Sequence, residues 1–345
     1  MSPRTKSTII FIAKVVVAAT LIGWLIRSGV LDMSKLSIFF ERPILLVADL
    51  ALFLFCVMTG TLRWRALLVL AGAKISLARA VQLQTTALFF NVVIPGNVGG
   101  DVVKALYVAR DSEPSKRTTI LLIVFVERLI GLAGLVFVAS IAAALRGPTL
   151  WQDERTRQLA IAVAFLGVCT LVGPILFVLF IRRSGDKLER WTAGPSAFAK
   201  LAARLVAAAR LLASGPKQLF IALALSMAAH AGTMAFFTVL TRVITSQEVP
   251  FASVATVYPL GILTMMVPIS PAGLGVGHVA FERLFESIGV HGGATIFNVY
   301  LIGALAPCLL GAFPYLALKR SGQLPAASEA EATVPADDAP AQPPR

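Results

Sequence analysis

The feature that most constrains this sequence is a series of apolar runs, each long enough to cross a lipid bilayer. A spanning helix needs about 20 apolar residues. The six runs near or above that length are 8–26, 43–62, 119–145, 159–181, 217–240 and 292–318. Apolar residues make up 57% of the 345 residues and charged residues only 14%, which is typical of a protein embedded in lipid. The sequence therefore predicts an all-α, polytopic membrane protein with about six full spanning helices.

Two further apolar stretches are interrupted by Pro and Gly. The stretch 80–110 breaks at 95–100, and the stretch 251–289 breaks at 268–277. Hydrocarbon cannot satisfy the backbone of a broken helix, so such breaks must be buried in protein or line a cavity. Paired interruptions in the two halves of a chain are typical of transporters with inverted repeats. Small residues that only allow close helix packing are the alternative interpretation.

The distribution of Lys and Arg indicates the topology. The segments 63–79 and 101–118 carry four cations each and 182–217 carries eight, whereas 241–250 carries one. With a cytoplasmic N-terminus, the positive-inside rule places the first three on the cytoplasmic side. The broken stretch between 63–79 and 101–118 must then enter and return. The same counting predicts a second hairpin entering from the opposite face, cytoplasmic N- and C-termini and a location in the inner membrane.

The predicted domain organisation is simple. A transmembrane domain covers 1–320, with a retained first helix and no cleaved signal peptide. Within it, 182–217 is a cytoplasmic linker whose amphipathic part, 196–214, predicts an interfacial helix. The stretch 321–345 is rich in Pro, Ala and acidic residues, which predicts a disordered tail.

Composition also narrows the function classes. The formal charge of +13 is spread between the apolar spans, where orientation and anionic lipid explain it better than nucleic acid. The three cysteines lie in apolar segments without metal-ligand spacing, so we expect packing residues, no metal and no cofactor. No motif for a nucleophilic hydrolase or a nucleotide loop is present in the sequence.

The first break carries the stronger candidate site. Orphan amides and the positive dipole end of the following helix favour an anionic headgroup, although a capped turn is the plainer interpretation. The candidate substrate-binding residues here are Asn91, Pro95, Gly96, Asn97, Gly99, Gly100, Asp101 and Lys104.

Glu127 and Arg128 lie near the middle of a predicted span, where ionisable groups face a partner or an aqueous cavity. Adjacent helical residues point about 100° apart, so we expect each to pair with another group, Asp101 and Lys104 being the candidates. Phosphate binding and a structural ion-pair network both remain open.

The second break contributes Gly273, Gly275 and His278 as candidate substrate-binding residues. Two other polar residues have structural interpretations: His230 as a hydrogen-bonded group between helices, and Asp49 as a residue near the membrane interface.

Four segments together resemble the lysylphosphatidylglycerol synthase transmembrane-region family of flippase-like proteins, over about residues 8–320. They are "RWRALL" (63–68), "NVVIPGNVGGDVVKAL" (91–106), "ERLIGL" (127–132) and "VPISPAGLGVGHVAFE" (267–282). The resemblance implies a module that moves a lipid between leaflets. Relatives of this family are associated with glycolipid, polyprenyl-linked sugar and hopanoid pathways.

The family's fuller synthases carry a soluble aminoacyl-transferase domain after the membrane part. The predicted organisation includes no such domain, so synthase activity and catalytic residues are not expected. Lys104 stands where the family often has Arg, and His278 where it often has Glu. The leading hypothesis is a lipid transporter for an anionic phospholipid or a lipid-linked glycan. The alternatives are a membrane-embedded transferase, with Asp101, Glu127 or His278 as base, and an accessory subunit that recruits a partner glycosyltransferase.

Overall fold

The computed structural model describes residues 37–93, 99–146, 161–173, 196–265 and 275–320, with a few isolated positions between 27 and 183. Every regular element within these residues is a helix, so the predicted fold class is confirmed. The predicted first span, most of both breaks and the predicted tail lie outside the described residues.

The helices follow the predicted spans closely. They are α1 (Ser37–Glu41), α2 (Pro43–Leu70), α3 (Leu77–Val93), α4 (Gly99–Arg110), α5 (Pro114–Arg146), α6 (Ile161–Gly173), α7 (Ala197–Ser214), α8 (Pro216–Thr245), α9 (Phe251–Met265), α10 (Val276–Glu286), α11 (Gly293–Cys308) and α12 (Ala312–Arg320). A 3-10 turn, Leu309–Gly311, joins α11 to α12. Among the described residues, α2, α5, α8 and the run Gly293–Leu318 are long and apolar enough to cross a membrane.

The main departure from the predicted bounds is the end of α2. The sequence places the end of this span at 62, because Arg63 looks like the first charge of a loop, but the helix continues to Leu70. Trp64 in this extension is completely buried, and Arg63 pairs with Glu127 on α5. Because Arg63 has a partner inside the protein, its charge does not require the helix to end at the membrane surface.

Helices α2 and α8 form an antiparallel pair. Cys56 Sγ on α2 lies 3.9 Å from Thr233 Oγ1 on α8. Two turns further along α2, Arg63 Nη1 donates to Ser226 Oγ, two turns earlier on α8, at 3.3 Å. The C-terminus of α2 therefore lies beside the N-terminus of α8.

Helices α3 and α4 form the first hairpin. Next to the undescribed break, the Gly100 amide donates to Asn91 Oδ1 at 2.8 Å. At the open end, Arg79 Nη2 lies 3.8 Å from Asp111 Oδ2. The 12 residues of α4 span about 18 Å, too short for a hydrocarbon core of about 30 Å. The N-terminus of α3 and the C-terminus of α4 therefore lie at the same end of the hairpin, as a re-entrant element requires.

Helices α9 and α10 form the second hairpin. A Cβ on Gly261 would lie 2.6 Å from ring atoms of Phe281, and a Cβ on Gly277 would lie 3.4 Å from Met265 Cγ. The two helices therefore run antiparallel. Phe281 is the centre of a buried aromatic cluster, with ring centroids 4.6 Å from Phe297 and 5.4 Å from Phe237. This cluster packs the hairpin against α8 and α11.

The two hairpins open toward opposite ends of the molecule. The first begins shortly after the C-terminus of α2, and the second shortly after the C-terminus of α8. Because α2 and α8 are antiparallel, those two termini lie at opposite ends. The inverted arrangement predicted from charge counting is present in the fold.

Large apolar side chains cover much of the outer surface. Phe40, Ile44, Leu145, Phe220 and Phe313 are each at least 70% exposed. Such side chains are rarely grouped in this way on a water-facing surface, whereas a bilayer solvates them. The chain is a multi-pass membrane protein.

The crossing of α3 and α4 depends on Gly100. A Cβ there would overlap the carbonyl oxygen of Ala87, so Gly100→Ala must push the two helices apart. We expect the free energy of unfolding in detergent to fall by about 1–3 kcal/mol, which a thermal unfolding curve measures as a lower Tm. Gly173→Ala is the matched control, because no described residue lies within 4 Å of a Cβ at that helical position. Equal Tm values for the two variants would contradict this packing.

Candidate functional site

The centre of the candidate site is the Lys104 ammonium, buried where α4 meets α2, α3 and α5. Its Nζ lies 2.9 Å from Gln84 Oε1, 3.2 Å from Asp101 Oδ1 and 2.9 Å from Glu127 Oε2. The last contact is an ion pair without the alignment of a hydrogen bond. The nitrogen also lies 4.9 Å from the centroid of the Trp64 ring. An ammonium removed from water needs such a set of oxygens and a π face.

Glu127 extends these contacts to Arg63 on α2 and, through Arg63, to α8. Its Oε1 accepts from Arg63 Nη2 at 3.1 Å, and the same guanidinium reaches Ser226 on α8. One turn further along α8, His230 Nε2 lies 3.0 Å from the Gly131 carbonyl oxygen on α5, which is the interhelical hydrogen bond predicted for this residue. The carboxylate therefore ties α2, α4 and α5 together, with α8 held alongside.

Arg128 points away from its neighbour. Its guanidinium pairs with the Asp101 carboxylate, yet its side chain is 43% exposed, against 6% for Glu127. Consecutive helical residues point about 100° apart, which explains one buried and one accessible group. The pairing of Glu127 with Lys104 and of Arg128 with Asp101 agrees with the sequence-based expectation.

The N-terminus of α4 lies at the same place. Gly99 begins the helix, the Gly100 amide is bonded to Asn91, and Asp101 lies in the first turn. The helix dipole stabilises the Asp101 carboxylate there. The predicted site residues Pro95, Gly96 and Asn97 lie outside the described residues, so their contribution stays a prediction.

The five charged side chains of this group, which we call the charge cluster, do not balance. Among the described residues, three cations face two carboxylates, which gives the cluster a formal charge of +1; the members are Arg63, Asp101, Lys104, Glu127 and Arg128. Glu127 lies 13 residues into α5, about 20 Å along its axis, so the cluster is at membrane depth. Ionisable groups at such depth are costly and mark functional sites.

The predicted residues of the second hairpin form a separate group. Gly275 precedes α10 with φ of 81°, a conformation that favours glycine, and Gly273 lies outside the described residues. His278 Nε2 lies 3.4 Å from Asn298 Oδ1 on α11, and its ring centroid lies 5.0 Å from that of Phe297. His278 thus contacts α11 and is not part of the charge cluster. Within the described residues, no group of three His, Cys, Asp or Glu side chains could hold a metal ion.

Three residues of the site were missed by sequence reasoning. Arg63 was counted as a loop charge, although it stands in the "RWRALL" segment that carries the resemblance. Gln84 and Ser226 are neutral, so their positions gave no signal of a charged partner. A fourth residue, Glu282, accepts from the Gly292 amide at 3.2 Å and the Ala294 amide at 2.7 Å. Its carboxylate caps the start of α11, a structural role that explains a charge in the second motif.

Removing the buried ammonium tests its structural role. Lys104→Met keeps most of the side-chain volume but leaves two buried carboxylates with one cation fewer. We expect the free energy of unfolding, measured by denaturant titration in detergent, to fall by about 3–5 kcal/mol. Adding Glu127→Gln removes one of the carboxylates that faced Lys104 and returns the cluster to its formal charge of +1, so the double variant should recover part of the loss.

The control for this experiment is Lys116→Met. Lys116 is 37% exposed in its side chain and pairs with Glu113 one turn away on the surface. Its loss should change the free energy of unfolding by no more than about 0.5 kcal/mol. If Lys104→Met lowers the free energy of unfolding by no more than this control does, the ammonium group does not stabilise the hairpin.

Comparison with known proteins identifies the chain at the family level. The family described as "Lysylphosphatidylglycerol synthase TM region" matches residues 11–311, which include both hairpins and the charge cluster. No curated protein and no solved structure matches the chain. The protein belongs to the lysylphosphatidylglycerol synthase transmembrane-region family, whose members are membrane proteins of lipid metabolism or transport.

Proposed function

We propose that this protein is a flippase-like lipid transporter, which moves the anionic headgroup of a phospholipid or lipid-linked glycan between leaflets. Family membership supports a role in lipid metabolism or transport. The single observation that carries the finer proposal is the surplus positive charge at membrane depth, with Arg128 as its accessible member.

Arg128 is the proposed headgroup ligand. Its side chain is 43% exposed, whereas the side chain of Lys104 is completely buried. A guanidinium can bind a phosphate through two parallel hydrogen bonds, a geometry that a single ammonium does not offer. The start of α4 lies next to it and contributes a favourable dipole.

The surroundings of Arg128 suit a lipid better than a free anion. Val102 and Leu129, which adjoin the paired residues Asp101 and Arg128 in sequence, are 40% and 38% exposed. A lipid whose phosphate reached Arg128 would have apolar side chains close to its acyl chains. The headgroup could cross along the polar cluster while the acyl chains stay in hydrocarbon.

Lys104 has a different role in this proposal from the one expected from sequence. Its ammonium already faces three oxygens, so it positions Asp101 and Glu127 and leaves the phosphate to Arg128. Asp101 in turn orients the guanidinium. The substitution of Lys for the family's frequent Arg at 104 is consistent with a point charge in a small, closed space.

We place the protein in the inner membrane, with the open end of the first hairpin toward the cytoplasm. The basis is the concentration of Lys and Arg at that end, because such residues are retained on the cytoplasmic side. A headgroup arriving from the inner leaflet would then meet the first hairpin before the second.

Arg128 gives the sharpest test of transport. Arg128→Ala removes a charge-assisted contact of about 1.5–3 kcal/mol, so we expect translocation to slow by about 10- to 100-fold. The readout is quenching of a fluorescent anionic phospholipid in proteoliposomes by a membrane-impermeant reductant. The variant should fold, because Asp101 keeps Lys104 as a partner.

The matched control is Arg283→Ala. The Arg283 side chain is 80% exposed and forms an ion pair with Glu286 on its own helix. That variant should transport at the wild-type rate. Wild-type transport by Arg128→Ala, or a new covalent lipid product made by the wild-type protein, would contradict the proposed function.

A further inference from the structure

A third buried acidic residue of the described part of the chain, Asp49, lies away from the charge cluster. It is only 5% exposed, and it lies six residues into α2. Its neighbours on the outer face, Val47, Leu50 and Leu54, are 61%, 42% and 66% exposed. Phe40, nine residues earlier in the chain, is also exposed. Asp49 is therefore a buried acid within an apolar helix that is long enough to cross a membrane.

The carboxyl group is pressed against α11. A Cβ on Gly303 would lie 2.7 Å from Asp49 Oδ1 and 2.9 Å from Oδ2, so only glycine leaves room for it. Tyr300, one turn earlier on α11, lies near enough to interact with it electrostatically. Glycine at this contact lets the α11 backbone approach an ionisable group inside the apolar layer.

Asp49 differs from the other two buried acids in its partners. Asp101 and Glu127 each face two cations, whereas no Lys, Arg or His side chain of the described residues pairs with Asp49. Glu41 and Arg42, the charged residues before α2, are exposed at the end of the helix. The other titratable groups on this side are uncharged at neutral pH: Tyr258, Tyr300, Cys56 and Cys308.

Burial in an apolar stretch, without a cation partner among the described residues, favours the neutral acid over the carboxylate at this position. We propose that Asp49 is a proton-binding site, and that loading and release of its proton drives headgroup movement at the charge cluster. This coupling rests on the proposed function. A proton binds to one oxygen of the Asp49 carboxyl group and, unlike a metal cation, needs no further ligands.

Helix α2 links Asp49 to the charge cluster, because it carries both Asp49 and Arg63, 14 residues or about 21 Å apart. Arg63 in turn pairs with Glu127 on α5. Between the two positions, Cys56 on α2 lies 3.9 Å from Thr233 on α8. Because Asp49 packs against α11, a shift of α2 relative to α11 on deprotonation of Asp49 displaces Arg63 as well.

The first arm of the test needs no transport. Infrared spectra of the purified protein at neutral pH should show the C=O stretch of a protonated carboxyl that disappears in Asp49→Asn. Asn has nearly the same shape and no charge, so the variant should fold. Glu41→Gln, an exposed acid on α1, should leave that band intact. If Asp49→Asn instead loses a carboxylate band, Asp49 is ionised in the wild-type protein and the proposed proton site is wrong.

The second arm measures coupling in proteoliposomes. Wild-type and Glu41→Gln proteins should move the fluorescent anionic phospholipid faster under a pH gradient of one direction, whereas Asp49→Asn should transport equally with and without it. A retained pH response in Asp49→Asn, or a response to a sodium gradient in place of a pH gradient, would overturn the coupling. If the wild-type protein moves no lipid under any condition, the proposed function and the coupling fail together, and the infrared arm alone decides the proton site.

Discussion

The ammonium group of Lys104 is the interaction on which the first half of the structure depends. A broken helix inside a bilayer must be held by other parts of the protein, because lipid forms no hydrogen bonds with it. Lys104 contacts oxygens from α3, α4 and α5 and the Trp64 ring from α2, so one buried charge joins four helices. Glu127 and Asp101, the carboxylate partners of Lys104, also pair with Arg63 and Arg128. Because Lys104 is buried among its partners, Arg128 is the accessible cation of the group.

The second half solves the same physical problem with different chemistry. Its hairpin is held by stacked aromatic rings around Phe281, and by the Glu282 carboxylate, which bonds amides at the start of α11. The polar groups here, Asp49 with two tyrosines, carry no balancing cation among the described residues. One half of the molecule therefore concentrates positive charge, and the other holds a buried acid. Under the proposed function, this asymmetry suits coupled movement of an anionic lipid and a proton.

Much of this fold could be predicted from sequence, because hydrocarbon imposes strict rules. Apolar runs, Pro–Gly breaks and the distribution of Lys and Arg identified the spans and the hairpins, and the cost of isolated charge required partners for Glu127 and Lys104. Arg63 was assigned to a loop because the contact that keeps it inside the protein, its pairing with Glu127 on α5, is tertiary and leaves no mark on the local sequence. The close contact of Asp49 with Gly303 on α11 could not be predicted for the same reason. Gln84 could not be found at all, since a neutral side chain leaves no charge to be balanced.

Thiol labelling of single cysteines tests the inverted pair of hairpins most directly. The background carries Cys56→Ala, Cys169→Ala and Cys308→Ala, which removes the native thiols. With a membrane-impermeant reagent, Arg79→Cys and Asp111→Cys should react from one face, and Pro250→Cys and His291→Cys from the other. Reaction of the 79 and 111 positions from opposite faces would turn the first hairpin into an ordinary crossing and contradict the account.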